Sequence, residues 1–233
     1  WASAFHLNDN GRQGIQFFDH HGDALLKVYA TTQTDMAAWD TLTAEHRVAA
    51  PAPLTLRPLE PVKYADTADG AALENDWRAM TDVHQFFGLL RKYQLSRQQA
   101  FRLVSDDLAC RVDRHALPSL LETVRQEGNE IMIFVGNRGC VQIFTGALEK
   151  LAPMRGWLNI FNTTFTLHLR EESLDEVWVT RKPTSDGHVT SVELFAKDGT
   201  QIAQLYGQRS EGHPEQTQWR QQVDRLTREG QPA

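Results

Sequence analysis

A histidine inside an apolar helical pattern, and an arginine at the start of the next helix, are the residues whose spacing best suggests chemistry. Side chains at steps of three and four share one face of a helix. In this sequence such a face would carry Trp77, Met80, His84, Phe87 and Leu90. The pattern therefore predicts that the imidazole of His84 projects from a buried, mostly apolar face.

The helix that follows begins with a cation, at a position where the helix dipole favours an anion. Ser96 and Gln99 form a capping box, which places Arg97 in the first turn. Backbone N–H groups at a helix start attract anions, so Arg97 suggests an anionic ligand close by. A metal held by His84, whose organic ligand carries negative charge near Arg97, describes haem.

The same residues also have plainer interpretations. The chain has nine histidines, and most of them are expected to be solvated or hydrogen-bonded in place. His84 has no partner at metal-ligand spacing, and a single arginine such as Arg97 is more often a solvated surface charge. Spacing alone leaves both interpretations open.

Composition and charge are those of a globular protein. The 233 residues are 41% hydrophobic and 23% charged, and the formal net charge of −6 argues against a broad nucleic-acid surface. No apolar run is long enough to span a membrane, and no signal peptide is visible. Cys110 and Cys140 lack CxxC spacing, so we expect a reduced, cytoplasmic chain, although two thiols alone leave a disulfide possible.

The order of predicted elements changes twice along the chain. Strand and turn signals alternate over residues 1–29, and a helix is predicted over 35–46. Four of the nine prolines lie in a connector, 48–73, which we expect to be extended. Helices are then predicted over 74–93, 96–109 and 115–127, and Gly128 and Asn129 are expected to end the last of them. From Glu130 the hydrophobic period becomes two, which predicts an antiparallel sheet, and a helix over 214–228 closes the chain.

Residues 178–206 repeat residues 1–29 without a gap, at an offset of 177. The identical pairs are Trp1 and Trp178, Asp9 and Asp186, Phe18 and Phe195, Gly22 and Gly199, and Tyr29 and Tyr206. These positions are turn glycines and strand aromatics, so we infer a duplication.

The predicted fold class is α+β, with two similar halves that are each a large antiparallel sheet with flanking helices. The first half is expected to be incomplete. Residues 1–47 would be the remainder of that half, 48–73 the connector and 74–233 the second half. A cleft between two such halves is a common place for a small-molecule site.

A haem site needs aromatic walls and donors for two propionates besides its iron ligand. Candidate walls are Phe86, Phe87, Met132 and Phe134, and candidate propionate donors are Lys182, Tyr206 and Arg209. Each wall residue by itself is more often plain core, and each polar residue could equally belong to a solvated rim. Nucleotide-binding and serine-hydrolase motifs are absent from the sequence.

Six segments, in order, resemble the haemin-degrading and haem-trafficking proteins of Gram-negative haem-uptake operons. They are DVHQFFGLL (82–90), FVGNRGCVQIFTG (134–146), WLNIFN (157–162), FTLHLR (165–170), WVTRKPTSDG (178–187) and AQLYGQR (203–209). The resemblance covers nearly all of the chain. Members of this family are built from two similar halves, in agreement with the internal repeat.

The resemblance assigns roles position by position. His84 matches the axial, catalytic histidine of the family, and Phe134 matches an aromatic residue that lines the pocket. The residues that match propionate-binding positions are Arg97, Lys182, Gln204, Tyr206 and Arg209. The family also has a distal arginine in a strand upstream of the position of Trp1, and this sequence does not contain that strand.

The resemblance implies a cytoplasmic protein that opens haem oxidatively, in the manner of a haem oxygenase, and releases iron. The alternative is a non-catalytic haem chaperone that stores or delivers intact haem. Implied partners are haem, an electron donor if the protein is catalytic, and the inner-membrane haem importer. We expect no nucleic-acid partner and either a monomer or a homodimer. Without the distal arginine, we expect binding to persist and degradation to be slow.

Overall fold

The computed structural model describes residues 2–229, which separate into two compact units. The smaller unit is Trp1–Val62 with Asn137–Val141, and the larger unit is Lys63–Gly136 with Gln142–Ala233. Trp1 itself, one member of a predicted repeat pair, lies outside the described residues.

The smaller unit contains an antiparallel meander and one helix: β1 (Ser3–Asp9), β2 (Arg12–Phe18), β3 (Ala24–Tyr29) and α1 (Met36–His46). Asp35 caps α1 by accepting a hydrogen bond from the backbone N–H of Ala38 at 3.0 Å. The buried indole of Trp39 donates to Gln13 at 2.9 Å. The strands and helix predicted for this region are confirmed, and residues 47–69 have no helix or strand, as their prolines predicted.

The larger unit contains five helices among its described residues: α2 (Gly70–Arg78), α3 (Gln85–Tyr93), α4 (Arg97–Leu103), α5 (Leu117–Glu127) and α6 (Thr217–Glu229). The capping box of Ser96 and Gln99 is present at the start of α4. Gly128 ends α5 in the left-handed conformation, at φ 73°. These local signals were confirmed.

The single helix predicted over 74–93 is wrong, because the chain breaks it between α2 and α3. The side chain of Gln85 accepts hydrogen bonds from the backbone N–H groups of Thr81 and Asp82, at 2.9 and 3.3 Å. Asp82 accepts from the N–H of His84 at 2.7 Å. Side chains that satisfy backbone donors in this way compete with helical hydrogen bonds. His84 consequently stands just before the first turn of α3, not within a helix.

The helix predicted over 96–109 is also too long. It ends at Leu103, and residues 109–112 form β4 (Ala109–Val112) at the edge of the main sheet. The N–H and hydroxyl of Ser105 both donate to Glu74, which holds the chain in the turn between the two elements. Pairing with a neighbouring strand has overridden the local helical pattern.

Two antiparallel sheets complete the larger unit. The main sheet has the order β4-β10-β11-β12-β5-β6, with β5 (Ile131–Gly136), β6 (Val141–Gly146), β10 (Glu176–Thr184), β11 (Gly187–Phe195) and β12 (Gln201–Gly207). The small sheet consists of β7 (Lys150–Leu151), β8 (Trp157–Phe161) and β9 (Thr166–Arg170). The predicted combination of helices with antiparallel sheet is confirmed.

The two faces of the main sheet have different chemistry. One face is apolar, with residues such as Val179, Val192 and Leu205. It packs on α5, on the small sheet and on α6, which contributes Trp219. The other face packs on α2–α4 near Trp178, where Trp77, Phe86 and Phe101 form a second apolar cluster. Further along, this second face carries polar side chains.

The β2–β3 hairpin and the β11–β12 hairpin share one register at the predicted offset of 177. The paired residues are Gly14–Tyr29 and Phe17–Leu26 in the first, and Ser191–Tyr206 and Leu194–Ala203 in the second, and a bulge follows Phe17 and Leu194. The turn glycines Gly22 and Gly199 have φ of 90° and 84°.

The first hairpins do not share a register, so the ungapped alignment is wrong there. Ser3 pairs with Phe18, whereas Glu176 pairs with Phe195, so the offset in the first strand is 173. The β10–β11 hairpin is longer than the β1–β2 hairpin by four residues, two in each strand next to the turn. Asp9 and Asp186 are therefore not structurally equivalent. The duplication itself stays a prediction.

Candidate functional site

His84 presents its imidazole to solvent, and its orientation is set by a carboxylate. The side chain is 85% exposed, so the expectation of a buried ring was wrong. The Nδ1 atom lies 2.8 Å from Oδ1 of Asp82. When Asp82 accepts the Nδ1 proton, Nε2 keeps a free lone pair on the exposed side of the ring. A carboxylate behind a histidine is the usual arrangement for an imidazole that ligates a metal.

Asp82 is held as a carboxylate by its surroundings. The backbone N–H of His84 lowers the pKa of Asp82 most, followed by the imidazole of the same residue. The positive charge of Arg209 lowers that pKa further, which places Arg209 within electrostatic reach of Asp82. The charge of Arg209 thus acts on the carboxylate that orients His84.

Phe134, Gln204 and Tyr206 lie on the polar face of the main sheet, in rows that cross four strands, and Lys182 follows on β10, whereas Arg97 begins α4. One row is Trp178, Glu193, Gln204 and Phe134, and the next is Thr180, Ser191, Tyr206 and Met132. Side chains of alternate residues share a face of a sheet, so the strand registers alone place these groups together. The rings of Phe134 and Tyr206 meet edge to face, with centroids 5.3 Å apart.

Glu193 is the centre of this polar face, and sequence reasoning missed it. Its side chain is fully buried, and its two oxygens have different closest partners. Oε1 accepts from Lys182 at 2.7 Å, Ser191 at 3.1 Å and Thr180 at 3.3 Å, and Nη1 of Arg97 reaches it at 3.4 Å. Oε2 accepts from Gln201 at 2.7 Å, Arg97 at 3.0 Å and Gln204 at 3.4 Å. An acidic residue in an otherwise β-forming strand was the one available sequence signal.

The charges of this network keep Glu193 ionised. Burial alone would raise the pKa of Glu193, but the positive charges of Lys182 and Arg97 and the hydrogen bonds lower it to about 2. Burial raises the pKa of Tyr206, and the negative charge of Glu193 raises it further. Tyr206 therefore stays a neutral phenol, and it donates to Gln204 at 3.1 Å.

Arg97 lies between the buried carboxylate and two aromatic rings of α3. Its Cζ atom is 5.1 Å from the ring centroid of Phe86 and 5.3 Å from that of Phe87. The side chain of Arg97 is 15% exposed, and Phe87 is 57% exposed. Phe87 is thus an aromatic surface beside a cation, three residues after His84.

Lys182 lies deeper than the sequence predicted. We expected it at a strand end on the rim of a cleft, but it is only 3% exposed and its ammonium group bonds to Glu193, Thr180 and Ser191. Its Nζ atom lies 4.8 Å from the ring centroid of Phe86. Direct contact of Lys182 with a ligand stays a prediction.

The candidate residues thus form two adjoining groups in the larger unit. Arg97, Lys182, Gln204 and Tyr206 surround Glu193, with Phe134 beside them; His84 and Arg209 lie near Asp82. Phe86, two residues after His84, contacts both Arg97 and Lys182 and so joins the groups. Across residues 2–229, no cluster of three His, Cys, Asp or Glu side chains could hold a bare metal ion.

Comparisons with known proteins agree on one family. The sequence model of the haemin-degrading HemS.ChuX domain matches residues 1–46 and 94–226. The hemin transport protein HmuS of Yersinia pestis is 60% identical over 231 residues, which are 97% of this chain and 67% of that protein.

Two solved structures match over 97% of the chain. The heme degrading enzyme ChuS of Escherichia coli O157:H7 is 64% identical, with a TM-score of 0.91 over 67% of its own chain. The heme-binding protein PhuS of Pseudomonas aeruginosa, in its apo form, is 36% identical, with a TM-score of 0.92 over 68% of its chain. Within the part of the chain that the structure describes, no helix is long and apolar enough to cross a membrane.

Proposed function

We propose a function for this chain from the premise that it belongs to the haemin-degrading HemS.ChuX domain family. The chain binds haem, and the larger unit holds it. The observation that carries this proposal is the exposed imidazole of His84, whose Nδ1 is held by Asp82 while Nε2 has no hydrogen-bond partner among residues 2–229. The porphyrin supplies four nitrogen ligands to the iron, so the protein needs to supply one axial ligand, such as an imidazole nitrogen with an available lone pair.

The residues around His84 suit the rest of the molecule. Phe87 offers an exposed apolar ring for the porphyrin, and Arg97 and Arg209 offer guanidinium groups for its carboxylates. Gln204 supplies a neutral amide donor, which Tyr206 orients by donating to the amide oxygen, and Phe134 supplies a second aromatic surface. We assign Lys182 to the same site through its bond to Glu193.

We propose that the protein degrades haem oxidatively and releases its iron, with His84 as the catalytic ligand. When bound, haem supplies the iron at which oxygen is reduced, and an electron donor must deliver the electrons. Support comes from a relative called a heme degrading enzyme, at 64% identity. The second candidate, a chaperone that delivers intact haem, is favoured by the relative called a heme-binding protein. Whether it degrades haem or delivers it intact, we propose that the protein acts in the cytoplasm and that the inner-membrane haem importer is a partner.

The binding proposal is tested by replacing His84→Ala and titrating the chain with haem. We expect the shifted Soret band of the complex to be lost, because His84 is the imidazole that the proposal assigns to the iron. His168→Ala is the matched control, since His168 is also exposed and has its Nδ1 2.7 Å from a side-chain oxygen, that of Asn159. An unchanged spectrum for His84→Ala would refute the assignment.

The choice between enzyme and chaperone needs a different experiment. The haem complex is incubated with a reductant and oxygen, and with catalase to remove free peroxide, which attacks haem without an enzyme. Formation of a bile pigment together with released iron supports degradation. Haem that stays intact, and moves to a haem-accepting protein, supports the chaperone.

A further inference from the structure

We propose that Glu193 is a positioning residue that makes this site selective for the free carboxylates of haem. The inference rests on the proposed haem binding and deepens it. It follows from the different closest donors of the two oxygens of this buried side chain: Lys182 at 2.7 Å is nearest to Oε1, whereas Arg97 is nearer to Oε2, at 3.0 Å, than to Oε1, at 3.4 Å.

The Oε1 side of Glu193 is anchored in the sheet. It receives Lys182, Ser191 and Thr180, all of which are buried. Lys182 is held by groups of strands β10 and β11, so it fixes the carboxylate with respect to two central strands. A buried carboxylate with this many donors has little freedom to turn.

The Oε2 atom of Glu193 accepts hydrogen bonds from side chains that a ligand could contact from solvent. It receives Nη1 of Arg97 and the amides of Gln201 and Gln204, each of which is partly exposed. Arg97 bonds to the carboxylate through Nη1, and its Nε and Nη2 have no partner within the described residues 2–229, so their N–H groups can meet another anion. Glu193 thus fixes one corner of the guanidinium while Phe86 and Phe87 fix its plane.

Glu193 sets the orientation of Arg97 and not the charge of the site. Lys182, Arg97 and Glu193 together carry a charge of +1. If Glu193 becomes glutamine, the fully buried Lys182 loses its counter-ion, and burial then favours the neutral amine. The cluster again carries +1, from Arg97 alone. What the substitution removes is the fixed geometry of Arg97.

The experiment compares two ligands on the whole 233-residue chain: haem, and haem whose two propionates are methyl esters. Both offer the same iron and the same porphyrin face, but only haem offers carboxylates. For Glu193→Gln we expect roughly a tenfold loss of affinity for haem, the loss typical of one hydrogen bond to a charged group, and no loss for the ester. Affinities are measured by Soret titration.

Glu176→Gln is the matched control, because Glu176 is another buried carboxylate on the same sheet face. It bonds to Arg102, Gln98 and Trp178 instead. We expect this variant to leave the affinities for haem and for the ester unchanged.

A shorter acid gives a second test if the glutamine variant fails to fold. Glu193→Asp keeps a counter-ion for Lys182 but withdraws the carboxylate from Arg97, so it should show the same loss for haem alone. Equal losses for haem and ester, or no loss for haem, would overturn the inference in either variant. Failure of the unmodified chain to bind haem would instead overturn the proposed function.

Discussion

At the residue scale, the site depends on two carboxylates that orient other groups. Asp82 fixes the imidazole of His84, and Glu193 fixes the guanidinium of Arg97. Neither acid was assigned a role from the sequence, although Asp82 stands in the segment that carries the resemblance. Their role is to reduce the freedom of a side chain that would otherwise have to be ordered when the ligand binds.

Replacing Asp82→Ala should weaken haem binding by roughly tenfold, because partners of this kind are typically worth 10- to 100-fold in metal affinity. Asp82→Asn should lose less, since an amide oxygen can still accept the Nδ1 proton of His84. Soret titrations of both variants measure the difference. Wild-type affinity in the alanine variant would show that the imidazole needs no partner.

At the element scale, α6 packs so closely on the main sheet that Gly207 of β12 has no room for a larger residue. A Cβ atom added at Gly207 would lie 2.7 Å from Cβ and 2.8 Å from Cγ of Trp219. Trp219 cannot retreat, since it is fully buried and its indole donates to the backbone of Thr190 at 3.0 Å. At Gly88, within α3, the corresponding position has no atom within 4 Å from the rest of the described chain, apart from the backbone of the helix itself and the two neighbouring residues.

We expect Gly207→Ala to destabilise the larger unit by about 1–3 kcal/mol through overpacking. Gly88→Ala should stabilise it by about 0.5–1 kcal/mol, because alanine is the better helix former. Thermal unfolding followed by circular dichroism measures both changes. A Gly207→Ala variant that unfolds at the wild-type temperature would show that α6 is free to move away from the sheet.

The element scale also shows where local patterns were sufficient. The capping box at Ser96, the left-handed glycine at Gly128 and the alternation in β10–β12 each depend on neighbours a few residues away, and each was predicted. The break before α3 was missed, because the side chains of Asp82 and Gln85 take backbone donors that the periodic pattern assigns to a helix.

At the scale of the whole molecule, each of the two units has a charge cluster whose stability depends on pH. In the larger unit, Glu193 has a folded-state pKa of about 2, against 4.5 for an unperturbed glutamate. A depressed pKa stabilises the folded state above the unfolded value, and this contribution is lost as the pH falls from about 4.5 towards 2. In the smaller unit, Arg138 pairs with Asp19 and Asp23, and the pKa of Asp19 is also lowered to about 2.

Glu193→Gln should therefore be less stable than the wild-type chain at pH 7, and the difference should shrink as the pH falls below about 4.5. Between pH 4.5 and about 2 the glutamate of the unfolded wild-type chain takes up a proton while that of the folded chain stays ionised, so the folded state loses the advantage that the charge gives it. Urea unfolding followed by tryptophan fluorescence, at pH values from 7 to 3, tests this. A difference that does not change with pH would show that the charge of Glu193 does not stabilise the fold.

The sequence by itself determined the mixture of helices and antiparallel sheet, the caps and turns, and the residues that resemble a haem site. Only the tertiary structure decided that His84 is exposed, that Lys182 is buried and that Glu193 joins the polar groups. The physical reason is the separation in sequence between the residues that interact. Caps and turns are settled within a few residues, whereas Glu193 meets Arg97 across 96 positions of sequence. Which carboxylate orients which cation depends on strand order and register, which the spacing of residues in the sequence does not contain.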